Sequence, residues 1–170
     1  MKLWLSFSIT VVSLLLNNFT NAQQSFGAWI TGETDSNKTG VKLYFAATTN
    51  DSGNLLGQYC GAENCIWLLG MNSSCQSGDS YPVLTNSNKG SIPLYVHCDA
   101  KLDNGLYRYV FSNFDAINEL IIKGTRIGFA FPLQSDEFRV VRFDLTGSSR
   151  AISTMRSAAQ EGGATRDKVL

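Results

Sequence analysis

The stretch TRIGFAFPLQSDEFRVVRFDL, residues 125–145, decides the fold. Every second residue of its first part falls on one side of an extended strand: Thr125, Ile127, Phe129, Phe131 and Leu133. A period of two is typical of a β-strand with one buried face. The residues between them are small at Gly128 and Ala130, which suggests that something packs close to the second face. Residues 134–137 predict a hairpin turn, and residues 138–145 predict the returning strand.

Short strands of the same kind extend towards the N-terminus. Apolar patterning predicts strands over residues 41–49, 55–60, 65–69, 81–84, 92–98 and 106–111. Polar clusters at 50–54 and 85–90 predict turns between them. Pro93 indicates that its strand begins at a sheet edge, because proline has no N–H to donate to a neighbouring strand.

Two segments have helical signals instead. Apolar residues between 116 and 121 recur at helical spacing, with Ser112 or Asn113 as the N-cap and Gly124 at the end. Residues 149–158 predict a second short helix. Together these elements predict a mainly β fold, an antiparallel β-sandwich or barrel of about eight or nine short strands with one or two short helices.

The N-terminus has the order of a secretory signal peptide. A basic residue precedes the apolar stretch 3–16, and a small alanine then precedes the expected cleavage point near Ala22. The alternative of an uncleaved anchor is disfavoured, because the apolar run is shorter than the roughly 20 residues that a membrane span needs. We therefore expect a periplasmic or secreted protein with a signal peptide at 1–22, one β-rich domain at 23–158 and a flexible tail at 159–170.

Export determines how the four cysteines are interpreted. In an oxidising compartment, four cysteines form two disulfides more often than a metal site. Their spacing also lacks the Cys-x-x-Cys pairs of a zinc site. Three pairings are possible, and we favour Cys60–Cys65 with Cys75–Cys98 because a short loop already holds the first pair together. We expect a disulfide-stapled fold with no metal and no cofactor.

The charge of the chain excludes one class of partner. Lys and Arg number 14, and Asp and Glu also number 14, which gives a net charge of zero. A protein that binds nucleic acid needs a basic face to displace counterions, so we expect no nucleic-acid partner. No stretch after the signal peptide is long and apolar enough to predict a transmembrane segment.

The sequence contains little that predicts catalysis. His97 is the only histidine, and Asp99 or Asp103 could orient it as a general base. No Gly-x-Ser-x-Gly nucleophile motif and no His-Glu-x-x-His metal motif is present. We therefore predict a non-enzymatic protein and assign no catalytic residue, with a small exported hydrolase using His97 as an alternative.

Two groups of residues are candidates for a binding surface. Tyr107 and Tyr109 share one side of a predicted strand, and Arg139 and Arg142 belong to the returning strand near the C-terminus. The Cys60–Cys65 loop is a separate candidate, because a disulfide preorganises a loop for binding.

The order of motifs along the chain has a parallel in a known family. FGAW at 26–29 precedes the cysteine-rich middle, FDAI at 114–117 leads into KGTRIGFAF at 123–131, and FRVVRFDLTG at 138–147 precedes Ala-Ile at 151–152. This order resembles the invasion-associated locus B family of exported proteobacterial proteins. The chain departs from that pattern after the closing glycine, where a serine replaces an aromatic residue.

The resemblance implies a β-rich exported protein without a known catalytic centre, in a family named for host-cell invasion. It transfers no functional residue to this chain. We therefore expect an interaction or an envelope or host-association role, with a protein or an envelope component as the partner. The alternatives are an inhibitor or immunity-type protein that acts through the Cys60–Cys65 loop, and the hydrolase that would use His97 with Asp99 or Asp103.

Overall fold

Ten strands and two helices make up the part of the chain that this computed structural model describes, residues 23–35, 41–61, 64–132 and 137–164. The strands are β1 (Gln24–Phe26), β2 (Trp29–Asp35), β3 (Lys42–Thr49), β4 (Leu55–Cys60), β5 (Cys65–Met71), β6 (Ser80–Ser87), β7 (Gly90–Lys101), β8 (Tyr107–Phe111), β9 (Arg126–Pro132) and β10 (Phe138–Asp144). The helices are α1 (Phe114–Lys123) and α2 (Ser148–Ala164). The predicted signal peptide lies outside the described residues.

All ten strands belong to one antiparallel sheet in the order β1-β2-β3-β4-β5-β8-β7-β6-β9-β10. The mainly β class with two helices and two disulfides is therefore confirmed. The sheet curls without closing, and its two ends come close together. Trp29 Nε1 donates to the carbonyl of Asp144 at 3.1 Å, and Asn50 Nδ2 donates to the carbonyl of Arg142 at 3.1 Å.

The curled sheet has an inner face that holds the core and an outer face that is turned away from it. Aromatic rings from distant strands meet on the inner face. Trp29 and Trp67 lie edge to face with ring centroids 6.2 Å apart, and both are fully buried. Phe129 packs between Phe111, at 5.3 Å, and Phe143, at 6.2 Å. Such pairs each stabilise the fold by about 0.5–1.5 kcal/mol beyond their area burial.

The first helix has the predicted start and end. Asn113 is its N-cap, and the side chain of Asn113 accepts a hydrogen bond from the Ala116 N–H at 3.1 Å. Gly124 is the C-cap. The helix buries the apolar residues that the spacing selected, Ile117, Leu120 and Ile121.

The second helix is longer than predicted. It continues to Ala164, whereas the sequence predicts a helix over residues 149–158. Ala159 is buried, and Gly162 lies so close to Tyr44 that a Cβ there would fall 2.0 Å from the tyrosine hydroxyl. Small residues at these positions let the helix pack against β3, so part of the predicted tail is helical.

A polar contact joins both helices to the sheet. The buried amide of Gln58 on β4 accepts a hydrogen bond from Arg156 Nε of α2 at 2.8 Å. The same guanidinium donates to Asn118 Oδ1 of α1 at 2.6 Å. Because a hydrogen bond to a charged group is stronger than a neutral one, this contact fixes the two helices relative to β4.

The turn from β10 into α2 packs tightly against the start of the sheet. Gly147 has φ +90°, and a Cβ on it would lie 1.8 Å from the Phe26 carbonyl oxygen. Ala28 N donates to the Thr146 carbonyl at 3.0 Å. Only glycine combines this backbone conformation with this close approach, which explains the Gly147 of the closing motif.

The two disulfides have the pairing that we favoured from the spacing. Cys60 and Cys65 are opposite residues of the β4–β5 ladder, with Cα atoms 4.0 Å apart. Cys75 and Cys98 tie the loop after β5 to β7, with Cα atoms 6.0 Å apart. The second distance lies in the usual range of about 4.4–6.8 Å, and the first is shorter because its cysteines are directly opposite each other in the ladder.

Candidate functional site

All three prolines of the chain lie exposed on the outer face, on neighbouring strands. Pro82 is on β6, Pro93 on β7 and Pro132 on β9. The β6–β9 ladder ends at the pair Leu84–Ala130. If its register continued, the next two pairs would be Val83–Phe131 and Pro82–Pro132, and neither proline has an N–H.

A hydrogen bond on the other side of β7 shows which way the backbone polar groups of Pro82 point. The carbonyl of Tyr95 accepts from Ser112 N at 3.0 Å, on the β8 side of the strand. Pro82 is directly opposite Tyr95 in the β6–β7 ladder. Because the carbonyl of Tyr95 points to β8, Pro82 and Tyr95 form a non-hydrogen-bonded pair, in which the backbone polar groups of the two residues point away from each other. The polar groups of Pro82 therefore face β9, where two hydrogen bonds with Pro132 are missing.

The interrupted ladder leaves a groove between β6 and β9. The groove has a volume of about 210 Å³ and is lined by Pro82, Val83, Leu84, Pro93, Leu94, Tyr95, Ala130, Pro132 and Phe138. Every lining residue except Tyr95, with its single hydroxyl, has a purely apolar side chain. The groove is therefore suited to an apolar group and contains no ligands for a metal ion.

Large apolar side chains surround the groove in solvent. Their exposed fractions are 51% for Leu84, 57% for Tyr95, 63% for Phe138 and 43% for Val140. We call this outer surface the proline face, and its residues are Pro82, Leu84, Pro93, Tyr95, Ala130, Pro132, Phe138 and Val140. Contiguous exposed apolar residues of this kind mark interaction sites more often than scattered ones do.

The proline face ends at β10, a strand at the edge of the sheet. The carbonyls of Arg142 and Asp144 point away from β9, and Asn50 and Trp29 cap them. Because backbone direction alternates along a strand, the N–H and C=O groups of Phe138 and Val140 point to the same side. This half of β10 extends beyond the two caps and adjoins the proline face.

His97 lies on the outer face of β7, next to the proline face, and hydrogen-bonds two hydroxyls. Ser80 Oγ is 2.5 Å from Nδ1, and Ser112 Oγ is 2.8 Å from Nε2. The Ser112 hydroxyl donates to the Tyr95 carbonyl, so it accepts from Nε2–H. With the neutral imidazole in this tautomer, Nδ1 accepts a hydrogen bond from the Ser80 hydroxyl.

The two carboxylates proposed to orient His97 form neither of its two hydrogen bonds. The Asp99 carboxylate forms an ion pair with the Arg108 guanidinium. Asp103 lies in the exposed turn that precedes β8. Neither hydrogen bond of His97 goes to a carboxylate. The arrangement is a chain of hydroxyls on an open surface, and the hydrolase alternative stays a prediction.

The four predicted binding residues lie on two faces. Tyr109 is buried on the inner face, where its hydroxyl donates to the Ser73 carbonyl at 2.9 Å and burial raises its pKa. Tyr107 is half-buried on the same side of β8. Arg139 points to the inner face and Arg142 to the outer face, and both are exposed. Their joint role in binding remains a prediction.

The residues of the proline face were not selected from the sequence as binding residues. One signal for them was available, because Gly128 and Ala130 predicted close packing on the second face of β9. The three prolines at strand positions were a second signal. What the sequence does not contain is the register that brings β6, β7, β9 and β10 together.

Two absences concern the described ranges 23–35, 41–61, 64–132 and 137–164. In them, no group of three or more His, Cys, Asp or Glu side chains is arranged to hold a metal ion. No helix within the same ranges is long and apolar enough to cross a membrane.

The fold and the candidate site define a class: a curled, open antiparallel sheet with two disulfides and an apolar outer surface. A solved structure with a similar fold is the crystal structure of invasion associated protein B from Bartonella henselae. The similarity covers 82% of this chain and 98% of the other, with a TM-score of 0.58 and 12% sequence identity. This identity supports a similar fold and no more. No protein-family model and no curated protein sequence matches the chain.

Proposed function

We propose that this chain is an exported, non-enzymatic protein that binds a protein or an envelope component through the proline face. Export is supported by the leader-like residues 1–22 and by two disulfides, which form and persist in oxidising compartments. The similar fold of invasion associated protein B is compatible with this proposal. We propose an envelope or host-association role on the same grounds.

The proline face is the observation that carries the proposal. Four large apolar side chains, Leu84, Tyr95, Phe138 and Val140, are exposed around one groove. Burial of a fully exposed side chain of this kind gains about 1.5–3 kcal/mol, and these four are roughly half exposed, so a partner that covers them gains about half of that from each. The small residues at Gly128 and Ala130 are explained in the same way, because they leave room for that partner.

Affinity capture with matched variants tests the proposal. The binding variant is Leu84→Ser/Phe138→Ser, and the control variant is Ile30→Ser/Ile66→Ser, since both isoleucines are exposed apolar residues outside the proline face. The three proteins are isolated from native envelope and culture fluid, and co-purifying species are identified by mass spectrometry. We expect a discrete species with the wild type and the control that is absent with the binding variant. Equal capture by all three would contradict the proposal.

A further inference from the structure

We propose that the partner adds an extended strand to the open half of β10, with the residue pattern apolar–acidic–apolar opposite Val140, Arg139 and Phe138. This inference rests on the proposed function and specifies the chemistry of the partner. The argument uses the direction of the backbone, the exposed side chains and the charge of this half-strand.

Among the described residues, the side chains that cap the backbone of β10 contact one half of the strand. Asn50 and Trp29 donate to the carbonyls of Arg142 and Asp144, which closes that half to another strand. The polar groups of Phe138 and Val140 point to the same side but lie beyond the caps. An edge strand of this kind is a template for a strand from another chain.

Side chains give the apolar part of the pattern. Phe138 and Val140 share the outer face with the groove, and Pro132 and Ala130 are opposite them on β9. A strand added beside β10 would set two of its side chains next to Phe138 and Val140 on this face. Apolar side chains there would extend the proline face and cover it in part.

Arg139 gives the acidic part. Its exposed side chain points to the other face, between the two apolar positions. Arg139 belongs to none of the ion pairs Lys42–Glu33, Arg108–Asp99 and Lys123–Glu119, which lie in the described part of the chain. A carboxylate opposite Arg139 would form a cross-strand pair of opposite charge.

The same charge disfavours a second copy of this chain as the occupant. Only one antiparallel register of two β10 strands sets both uncapped residues of one copy opposite uncapped residues of the other, with Phe138 opposite Val140, and this register also sets Arg139 opposite Arg139 of the other copy. Like charges directly opposite each other are destabilising. We therefore assign the edge to a segment of another protein.

Fluorescence anisotropy with synthetic peptides tests this pairing. The probe is fluorescein-labelled GKTVEVTKG, and the control peptide GKTVKVTKG replaces the central glutamate by lysine. We expect the glutamate peptide to bind the wild-type protein about three- to tenfold more tightly. Arg139→Glu reverses the preference. Arg126→Glu makes the same charge change at an exposed position of β9, outside the proline face, and leaves the preference unchanged.

N-methylated peptides separate strand addition from simple hydrophobic contact. In antiparallel pairing, the N–H groups of the two valines point to β10, and that of the glutamate points away. Methylation of a valine N–H therefore weakens binding about tenfold or more, whereas methylation of the glutamate N–H has little effect. Equal affinity of the peptides methylated at a valine N–H and at the glutamate N–H overturns the inference. The inference is also overturned if neither peptide binds.

Two further results separate this inference from the proposed function. If the peptides fail but Leu84→Ser/Phe138→Ser still abolishes capture of the native species, only the edge pairing is wrong. If the peptides behave as expected but capture is unchanged in that variant, the proposed function is wrong. A dimer of the wild-type protein in light scattering that dissociates with Val140→Lys would make the occupant a second copy and overturn the inference.

Discussion

Replacing the two prolines that face each other should extend the β6–β9 ladder and narrow the groove. In Pro82→Val/Pro132→Val, both positions gain an N–H at the place where the register of Leu84–Ala130 continues. Two new backbone hydrogen bonds contribute about 0.5–1.5 kcal/mol each, so about 1–3 kcal/mol in all. Loss of two prolines costs about 0.4–1 kcal/mol each through the entropy of the unfolded chain.

The free energy of unfolding of the double variant should therefore lie between about 1 kcal/mol below and about 2 kcal/mol above that of the wild type. Pro93→Val is the matched control. Pro93 precedes Val96, where the β7–β8 pairing begins, so a new N–H at position 93 finds no neighbouring strand. The control should lose about 0.4–1 kcal/mol with no compensation.

Amide hydrogen exchange measured by NMR, together with urea unfolding, distinguishes these outcomes. The new amides at positions 82 and 132 should exchange slowly, and the new amide at position 93 should exchange fast. We also expect the double variant to capture less of the native partner, since its groove is narrower. Fast exchange at both 82 and 132 would refute the reasoning, because it would show that the missing N–H groups do not end the ladder.

Three further predictions concern stability. Burial raises the pKa of Tyr109, so the stabilisation by the neutral phenol is complete below about pH 10 and is lost as the pH rises further. In Tyr109→Phe, the free energy of unfolding should therefore fall less steeply with pH in the alkaline range. Hydrogen bonds from the Thr146 hydroxyl and N–H lower the pKa of Asp144, so the stabilisation by its carboxylate is present above about pH 4 and is lost as the pH falls further. In Asp144→Asn, the melting temperature should therefore decrease less between pH 4 and more acidic values. Cys75→Ser/Cys98→Ser opens a loop with a sequence separation of 23 and should lower the free energy of unfolding by about 3 kcal/mol in urea titrations, whereas an unchanged value would show that this disulfide has no role in stability.

Much of the fold could be predicted where one face of an element is buried. The alternation over residues 125–133 and 138–145 predicted β9 and β10, and their pairing places Phe129 and Phe143 on the inner face. Pro93 predicts a strand that begins at an edge, and among the described residues the start of β7, from Gly90 to Leu94, has a ladder partner in β6 and none in β8. In these places local pattern and final packing agree, because burial sets both.

The prediction was weaker where polar residues are buried. The polar cluster 85–90 predicts a turn, but β6 continues through Ser87. Thr85 is fully buried and pairs with Phe129 on β9, so tertiary pairing overrides its polar character. The candidate site was missed for a related reason. Its residues come from four strands, and only the register between distant segments shows that their exposed sides form one surface.

Site-specific photocrosslinking tests the central claim most directly. A benzophenone amino acid is placed at Tyr95, in the proline face, or at Ile66, an exposed apolar position on β5, and the protein is irradiated in its native compartment. We predict one discrete adduct from position 95 that is absent from position 66 and disappears in the Leu84→Ser/Phe138→Ser background. Adducts from position 66 without any from position 95 would contradict the assignment of the proline face as the binding surface.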